Sequence, residues 1–533
     1  MRDDGSVAVG LARWRAAFLA GFAVLFVARL MLAATLSPFG DEAYYWQESR
    51  RLAWGYSDLP PLTAWLIRLG ETVAGHGVLG MRWPFLLIGS SLPWLVRAFA
   101  REHFDERTGW QAGLLCLALP LAGSLGVMAV PDVPLTVAIM LAVLAFARAT
   151  ADDRLRDWLL LGLALGLCWL THYRAAMPML SGLLLMVVTP RGRRQWRRGR
   201  FWLAMGVAAL GLVPLVVSNW QQQGAGIAFQ VLERNPWSFH ADALVQPLEQ
   251  ALACTPLLYL LLLWAAWQSW RRRDEPAAPW DLITVVSVSF IVGYFVLGLF
   301  ADDVRFRAHW PLPGYLPLLA ALPVLLREQW VWRKAWLSAA FALTIIGQLG
   351  GLMYLGLAAS AGGATALADV KAFPARFVGW RESGELARQL LAARPAVVVA
   401  DNFMLAAEID FQLGGRVPVY TLDHAINVKH GRAPQLAIWR LDETALHLQH
   451  GGEPMVLAVD EKSIKERERA PWLRSLCGRI DDPQPLQRLD LYAGRIRVAF
   501  YAGRVPSGPP VDPAFDERCL IWQDAYAADS GHR

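Results

Sequence analysis

The chain has 533 residues, of which 55% are apolar and only 18% charged, and it carries 25 tryptophans; this excludes an ordinary soluble protein and fits a polytopic membrane protein. The net charge of +6 sits mostly in short arginine clusters between apolar runs. There it sets membrane topology, so no nucleic-acid partner is expected.

Apolar runs of membrane-crossing length recur near 13–35, 78–100, 109–129, 131–148, 157–171, 173–189, 201–220, 248–270, 280–300, 311–327 and 336–358, which predicts about eleven spans. Residues 109–148 are nearly continuous in apolar character and long enough to cross twice, so Pro131-Asp132-Val133-Pro134 is expected to turn the chain. With a cytoplasmic N-terminus, the basic connections fall on one face, including the arginines at 191, 193, 194, 197, 198 and 200. The opposite, outer face then receives Asp41, Glu42, Asp58, Asp132, His172, Arg174, Arg305, Arg307 and His309. Adjacent acids directly after the first apolar run are costly to hold against a bilayer and call for pairing, ion binding or proton chemistry.

Beyond about residue 360 the composition changes. A helix over 380–393, a strand over 396–400, a helix over 402–413, strands over 417–422 and 455–459, and a hairpin over 486–505 turning at Ala493-Gly494 predict a small α/β domain. The expected architecture is an all-α polytopic domain over 1–358, with a first periplasmic loop at 36–77, followed by a periplasmic α/β domain over 359–533. Of the five cysteines only Cys477 and Cys519 are placed for a disulfide, in an oxidising compartment. No Walker loop, GxGxxG, HExxH or DxD triplet occurs, which disfavours direct use of a nucleotide sugar.

Several ordered motifs carry a resemblance: GDEAYYW and LAWGYSDLPPLTAWLIRLG over 40–70, VPDVPLTVAIMLAVLAFARA, LTHYRAAMPMLSGLLLMVVTPRGRR and HWPLPGYLPLLAALP. The chain resembles the bacterial family 39-type glycosyltransferases, which include protein O-mannosyltransferases and the aminoarabinose transferase of lipid A. The stretch from Gly384 to Tyr420 also resembles the outer domain of that group. The resemblance implies a GT-C fold in the bacterial inner membrane, a polyprenyl phosphate sugar as donor, a lipid A, glycan or protein acceptor, and an active site on the periplasmic face.

Transfer from such a donor needs a base near the acceptor hydroxyl, a cationic site for the departing phosphate and an apolar groove for the lipid. Asp41 matches the family's first-loop acid and is the expected base; its structural alternative is a cap for a helix beginning at Glu42. Glu42 reads equally as a second acid, a metal ligand or a helix N-terminal charge. Asp132, between two prolines, is a second candidate catalytic acid, its alternative being an ordinary turn aspartate. Asp58 stands where relatives commonly carry a His before the Pro pair, which weakens any His-based role at that corner. Because no Lys precedes Lys334, Arg174, Arg305 and Arg307, with His172 and His309, are left to bind the phosphate, against interfacial snorkelling as the alternative. Relatives often carry a Lys where His172 stands. Tyr45 and its aromatic neighbours fit either a sugar platform or an interfacial belt. A divalent metal ion is compatible with Glu42, Asp132 or His309, although no spacing demands one. A transporter or flippase of a lipid-linked saccharide is the alternative function, but it calls for charged residues or broken helices near the membrane midplane.

Overall fold

The computed structural model describes residues 3–229, 237–300, 308–329, 334–463 and 466–507. The chain forms two compact units: Met1–Ala34 with Ala53–Tyr354, and Thr35–Leu52 with the chain from Leu355 onward. The stretch bearing Asp41, read from sequence as part of the first loop of the membrane domain, is therefore built into the second unit.

The first unit is helical. Among the described residues six helices are long and apolar enough to cross a membrane: Val9–Thr35, Val78–His103, Asp132–Asp152, Gly199–Gln221, Trp280–Phe300 and Ala335–Ala358. Two bent pairs, Tyr173–Val188 with Pro190–Arg197 and Ala241–Cys254 with Pro256–Arg271, raise the number to eight. The other three expected spans are helices of 13, 17 and 18 residues, at Glu106–Ala118, Leu155–Thr171 and Leu312–Gln329. Proline explains much of this irregularity, because it supplies no N–H and favours a first helical turn. Pro120 restarts the chain after Leu119, so the apolar run at 109–148 breaks well before Pro131, and Leu312–Gln329 holds two internal prolines. The core of the unit is a continuous apolar cluster contributed by the helices from Leu92 to Ala340.

The second unit is α/β. Strands β1 (Val397–Ala400), β2 (Val419–Thr421), β3 (Pro454–Asp460), β4 (Asp481–Leu491) and β5 (Ile496–Arg504) form one sheet in the order β2-β1-β3-β5-β4. The first three strands are parallel, in register Val398 with Val419 and with Val456, and β5 and β4 are antiparallel. Parallel neighbours require crossovers, which Phe403–Leu413 and the short helices between Ala425 and His450 supply. The helix Trp380–Ala393 and the hairpin turn at Ala493-Gly494 appear where the sequence pattern puts them.

Candidate functional site

In the first unit, Asp132 opens the helix Asp132–Asp152, with Pro131 before it and Pro134 in its first turn. Two side chains distant in sequence converge on one of its oxygens. Arg174 donates from a terminal guanidinium nitrogen to Asp132 Oδ1 at 2.7 Å, and His309 Nε2 lies 3.1 Å from the same atom. The guanidinium also lies over the Trp310 ring, 5.1 Å from its centroid, and Trp310 packs against Tyr294 at 5.7 Å. Arg174 is thus fixed in place rather than snorkelling freely, with only 12% of its side chain exposed. Its Nε is buried without a partner among the described residues, so one donor of the fork remains to be satisfied.

His172 plays a local part. Its backbone is extended, ending one helix and starting the next turn, and its Nδ1 accepts the Arg174 N–H at 3.0 Å. A ring nitrogen that accepts is unprotonated, so His172 here orients Arg174 rather than adding positive charge. Asp58 is buried, 4% exposed, within electrostatic reach of Tyr173. Tyr173 accepts a hydrogen bond from Asn219 at 3.2 Å, and Gln222 donates to the Gly55 carbonyl at 3.1 Å, which pins this corner. Arg305 and Arg307 lie outside the described residues, as does Cys519.

In the second unit, the helix Gly40–Arg50 is buried along most of its length. Its N-cap is Phe39, without a side-chain bond, so Asp41 is not the cap; it stands in the first turn, where the helix dipole favours a carboxylate. Arg432 donates to Asp41 Oδ1 at 3.3 Å, and His430 Nδ1 is 3.9 Å from the same oxygen. Arg432 is 3% exposed, faces Glu48 at 3.7 Å and lies 4.1 Å from the Tyr44 ring centroid. Gln47 donates to Asp410 at 2.8 Å. Gly40 is needed for close approach, since a Cβ there would meet Met404 Cβ at 2.7 Å. Glu42 is fully buried and Tyr45 nearly so.

The aromatic residues of this helix serve packing first. Tyr44 and Trp46 are fully buried, Tyr44 against Phe403 and Trp439 and Trp46 against Phe411. Neither is displayed as a sugar platform. Arg432 and His430 were invisible to sequence reading; the only signal is the run His430-Gly431-Arg432, two cations around a glycine of positive φ. Cys477 is disulfide-bonded, whereas Cys116, Cys168 and Cys254 are free. Among the described residues no group of three or more His, Cys, Asp or Glu side chains is placed to hold a metal ion.

Comparison with known proteins bears on the fold and the family resemblance. The family described as dolichyl-phosphate-mannose-protein mannosyltransferase matches residues 58–218. The chain is 26% identical over 424 residues to the lipid A galacturonosyltransferase RgtD of Rhizobium johnstonii, covering 78% of this chain and 84% of that protein. It is 28% identical over 336 residues to the undecaprenyl phosphate-alpha-4-amino-4-deoxy-L-arabinose arabinosyl transferase of Pseudomonas paraeruginosa, covering 59% of this chain and 56% of that one. Crystal structures of ArnT from Cupriavidus metallidurans, apo and bound to undecaprenyl phosphate, superpose with TM-scores of 0.64 and 0.61. Each shares 16% identity, over 92% of this chain and 98% of that one. The fold is therefore theirs, and the resemblance read from the motifs is borne out.

Proposed function

We propose that this multi-pass GT-C-type membrane glycosyltransferase moves one glycosyl unit from a polyprenyl phosphate carrier to a lipid or glycan acceptor at the periplasmic face of the inner membrane. The observation that carries the reading is the cationic cluster on Asp132. Arg174 and His309 meet on one carboxylate oxygen, and among the described residues the buried Nε of Arg174 has no acceptor. A leaving phosphate supplies such an acceptor, and a preset fork costs no reorganisation as charge develops.

This arrangement redistributes the expected roles. One oxygen of Asp132 is already engaged by Arg174 and His309, so Asp132 is assigned chiefly as the anchor of the phosphate site. Asp41, 29% exposed and only loosely held at 3.3 Å, is the better candidate to take the acceptor proton. Attack opposite the departing phosphate inverts the sugar carbon. Glu42 and Tyr45 in the second unit and Asp58 in the first are buried, so none of the three is assigned a direct contact with substrate. The relatives' names favour a lipid A acceptor and an undecaprenyl-linked donor. The disulfide at Cys477 suits an oxidising compartment for the second unit.

The test is transfer of label from a panel of radiolabelled polyprenyl phosphate sugars to a membrane-glycolipid extract, with wild type beside Asp41→Asn. A new glycolipid of inverted anomeric configuration, formed by wild type alone, is expected. Near-normal turnover by Asp41→Asn removes that residue from the mechanism, and a retained configuration contradicts single displacement.

A further inference from the structure

The first unit holds an apolar cavity of about 370 Å³ among the Asp132–Asp152, Leu155–Thr171, Ala176–Val188, Gly199–Leu210 and Trp280–Phe300 helices. Phe146, Gly182, Leu183, Trp196, Trp202 and Phe290 are among its walls. None of the Asp132 cluster lines it. Leu183 and Trp202 are each 52% exposed, so the cavity opens sideways.

The chain beside it is bent in an informative way. Pro190–Arg197 turns 91° from the helix Tyr173–Val188. A segment at a right angle to a crossing helix runs along a bilayer surface, with apolar groups inward and charges outward. Trp196 fits this description: it lines the cavity, and its indole N–H is bonded to the Met186 carbonyl at 3.1 Å. Trp202 donates to the Trp196 carbonyl at 3.0 Å. These are amphipathic rings at the level of lipid headgroups.

The arginines on this segment divide into two sets. Arg191 pairs with Asp281 at 3.0 Å, and Arg198 with Asp153 at 3.4 Å. Arg193, Arg194 and Arg197 are exposed and make no ion pair among the described residues; Arg193 donates to the Val187 carbonyl at 3.0 Å, which leaves Arg194 and Arg197, close to Trp196 in sequence, as the two to consider. Exposed guanidinium groups on the same short segment as Trp196, a wall of the apolar slot, complement a phosphodiester joined to an acyl chain.

We propose that this cavity seats an acyl chain of an anionic phospholipid whose phosphate is bound by Arg194 and Arg197. The inference rests on the membrane reading of the chain and is independent of which sugar donor it uses. The site lies on the basic surface, among the arginine cluster that sets topology, and its occupant braces the short helices around the Asp132–Asp152 span.

The test uses full-length protein in mild detergent, incubated with phosphatidylglycerol or phosphatidylcholine of the same acyl chains, with retained lipid read by native mass spectrometry. Wild type is expected to retain phosphatidylglycerol about tenfold over phosphatidylcholine. Arg194→Gln with Arg197→Gln removes the preference, and Gly182→Trp removes retention of both lipids. A side chain at Gly182 starts into open space, with nothing within 4 Å of its Cβ. Should that variant not fold, Met205→Trp fills the same cavity from a facing helix. Equal retention of the two lipids by wild type overturns the proposal, as does unchanged retention in the cavity-filling variant. Displacement of phosphatidylglycerol by equimolar undecaprenyl phosphate also overturns it, by assigning the slot to the donor's tail.

Discussion

Arg432 shows how one side chain ties structure to chemistry. It is buried, reaches Asp41 and Glu48, and stacks on Tyr44. Arg432→Met removes the cation that two carboxylates face, and the loss is expected to destabilise the second unit by about 3 kcal/mol. Thermal unfolding followed by tryptophan fluorescence reads this, and Arg432→Lys should rescue only part because it lacks the planar fork. Asp132→Asn is expected to lower kcat about 100-fold while leaving the melting temperature nearly unchanged. An effect on KM alone would reduce Asp132 to a donor-binding role. The charged residues of the first unit were legible in sequence, because acids and arginines at the ends of apolar runs stand out. Arg432 and His430 were not, since they meet Asp41 across roughly 390 residues of chain and no local pattern announces that contact. The tyrosines and tryptophan after Asp41 were legible only as aromatic; burial, which decides between packing and display, depends on the partners Phe403, Phe411 and Trp439.

Helices pack here where side chains shrink. Gly162 and Gly166 lie four residues apart on Leu155–Thr171 and face the Gly199–Leu210 helix and its end at Gly211. A Cβ on Gly162 would meet the Ala204 carbonyl at 2.6 Å, and one on Gly211 would meet the Gly166 carbonyl at 2.3 Å. Small residues at this spacing let membrane helices approach closely. Gly211→Val is expected to force the pair apart and cost about 2 kcal/mol, seen as a lower melting temperature in detergent; an unchanged value would mean the seam adjusts freely. The short helix Ala425–Lys429 offers a second case. His424 Nδ1 accepts the Ile426 N–H at 2.9 Å, capping the helix, and burial pushes the imidazole down to about 4. Because the folded value lies below the ordinary 6.5, the neutral ring contributes stability above pH 6.5 that is lost as pH falls through about 4. The second unit should therefore lose stability over that window, and His424→Asn, which keeps a capping acceptor, should flatten the dependence. Element types were readable from periodicity, the hairpin at Ala493-Gly494 most directly. The sheet order was not, because parallel pairing is set by crossovers rather than by any strand's own sequence. Each apolar run found a helix or bent helix pair, but hydropathy, which sees apolar length alone, did not show the breaks at Pro120 and Pro190.

At the scale of the whole molecule, the helical unit and the α/β unit each hold a charged cluster of their own, around Asp132 in the first and Asp41 in the second. A carrier for lipid-linked sugars would move its cargo intact, with charged residues or broken helices near the membrane midplane, whereas a transferase cleaves the sugar from its carrier. Reconstitution into sealed vesicles tests this contrast most directly, with a polyprenyl phosphate sugar labelled in its sugar and a glycolipid acceptor on one face. The account predicts that label leaves the polyprenyl carrier and appears covalently on the acceptor with wild type, and stays on the carrier with Asp41→Asn. Label that crosses the bilayer still attached to its carrier, with no glycosylated product at any time, would contradict it.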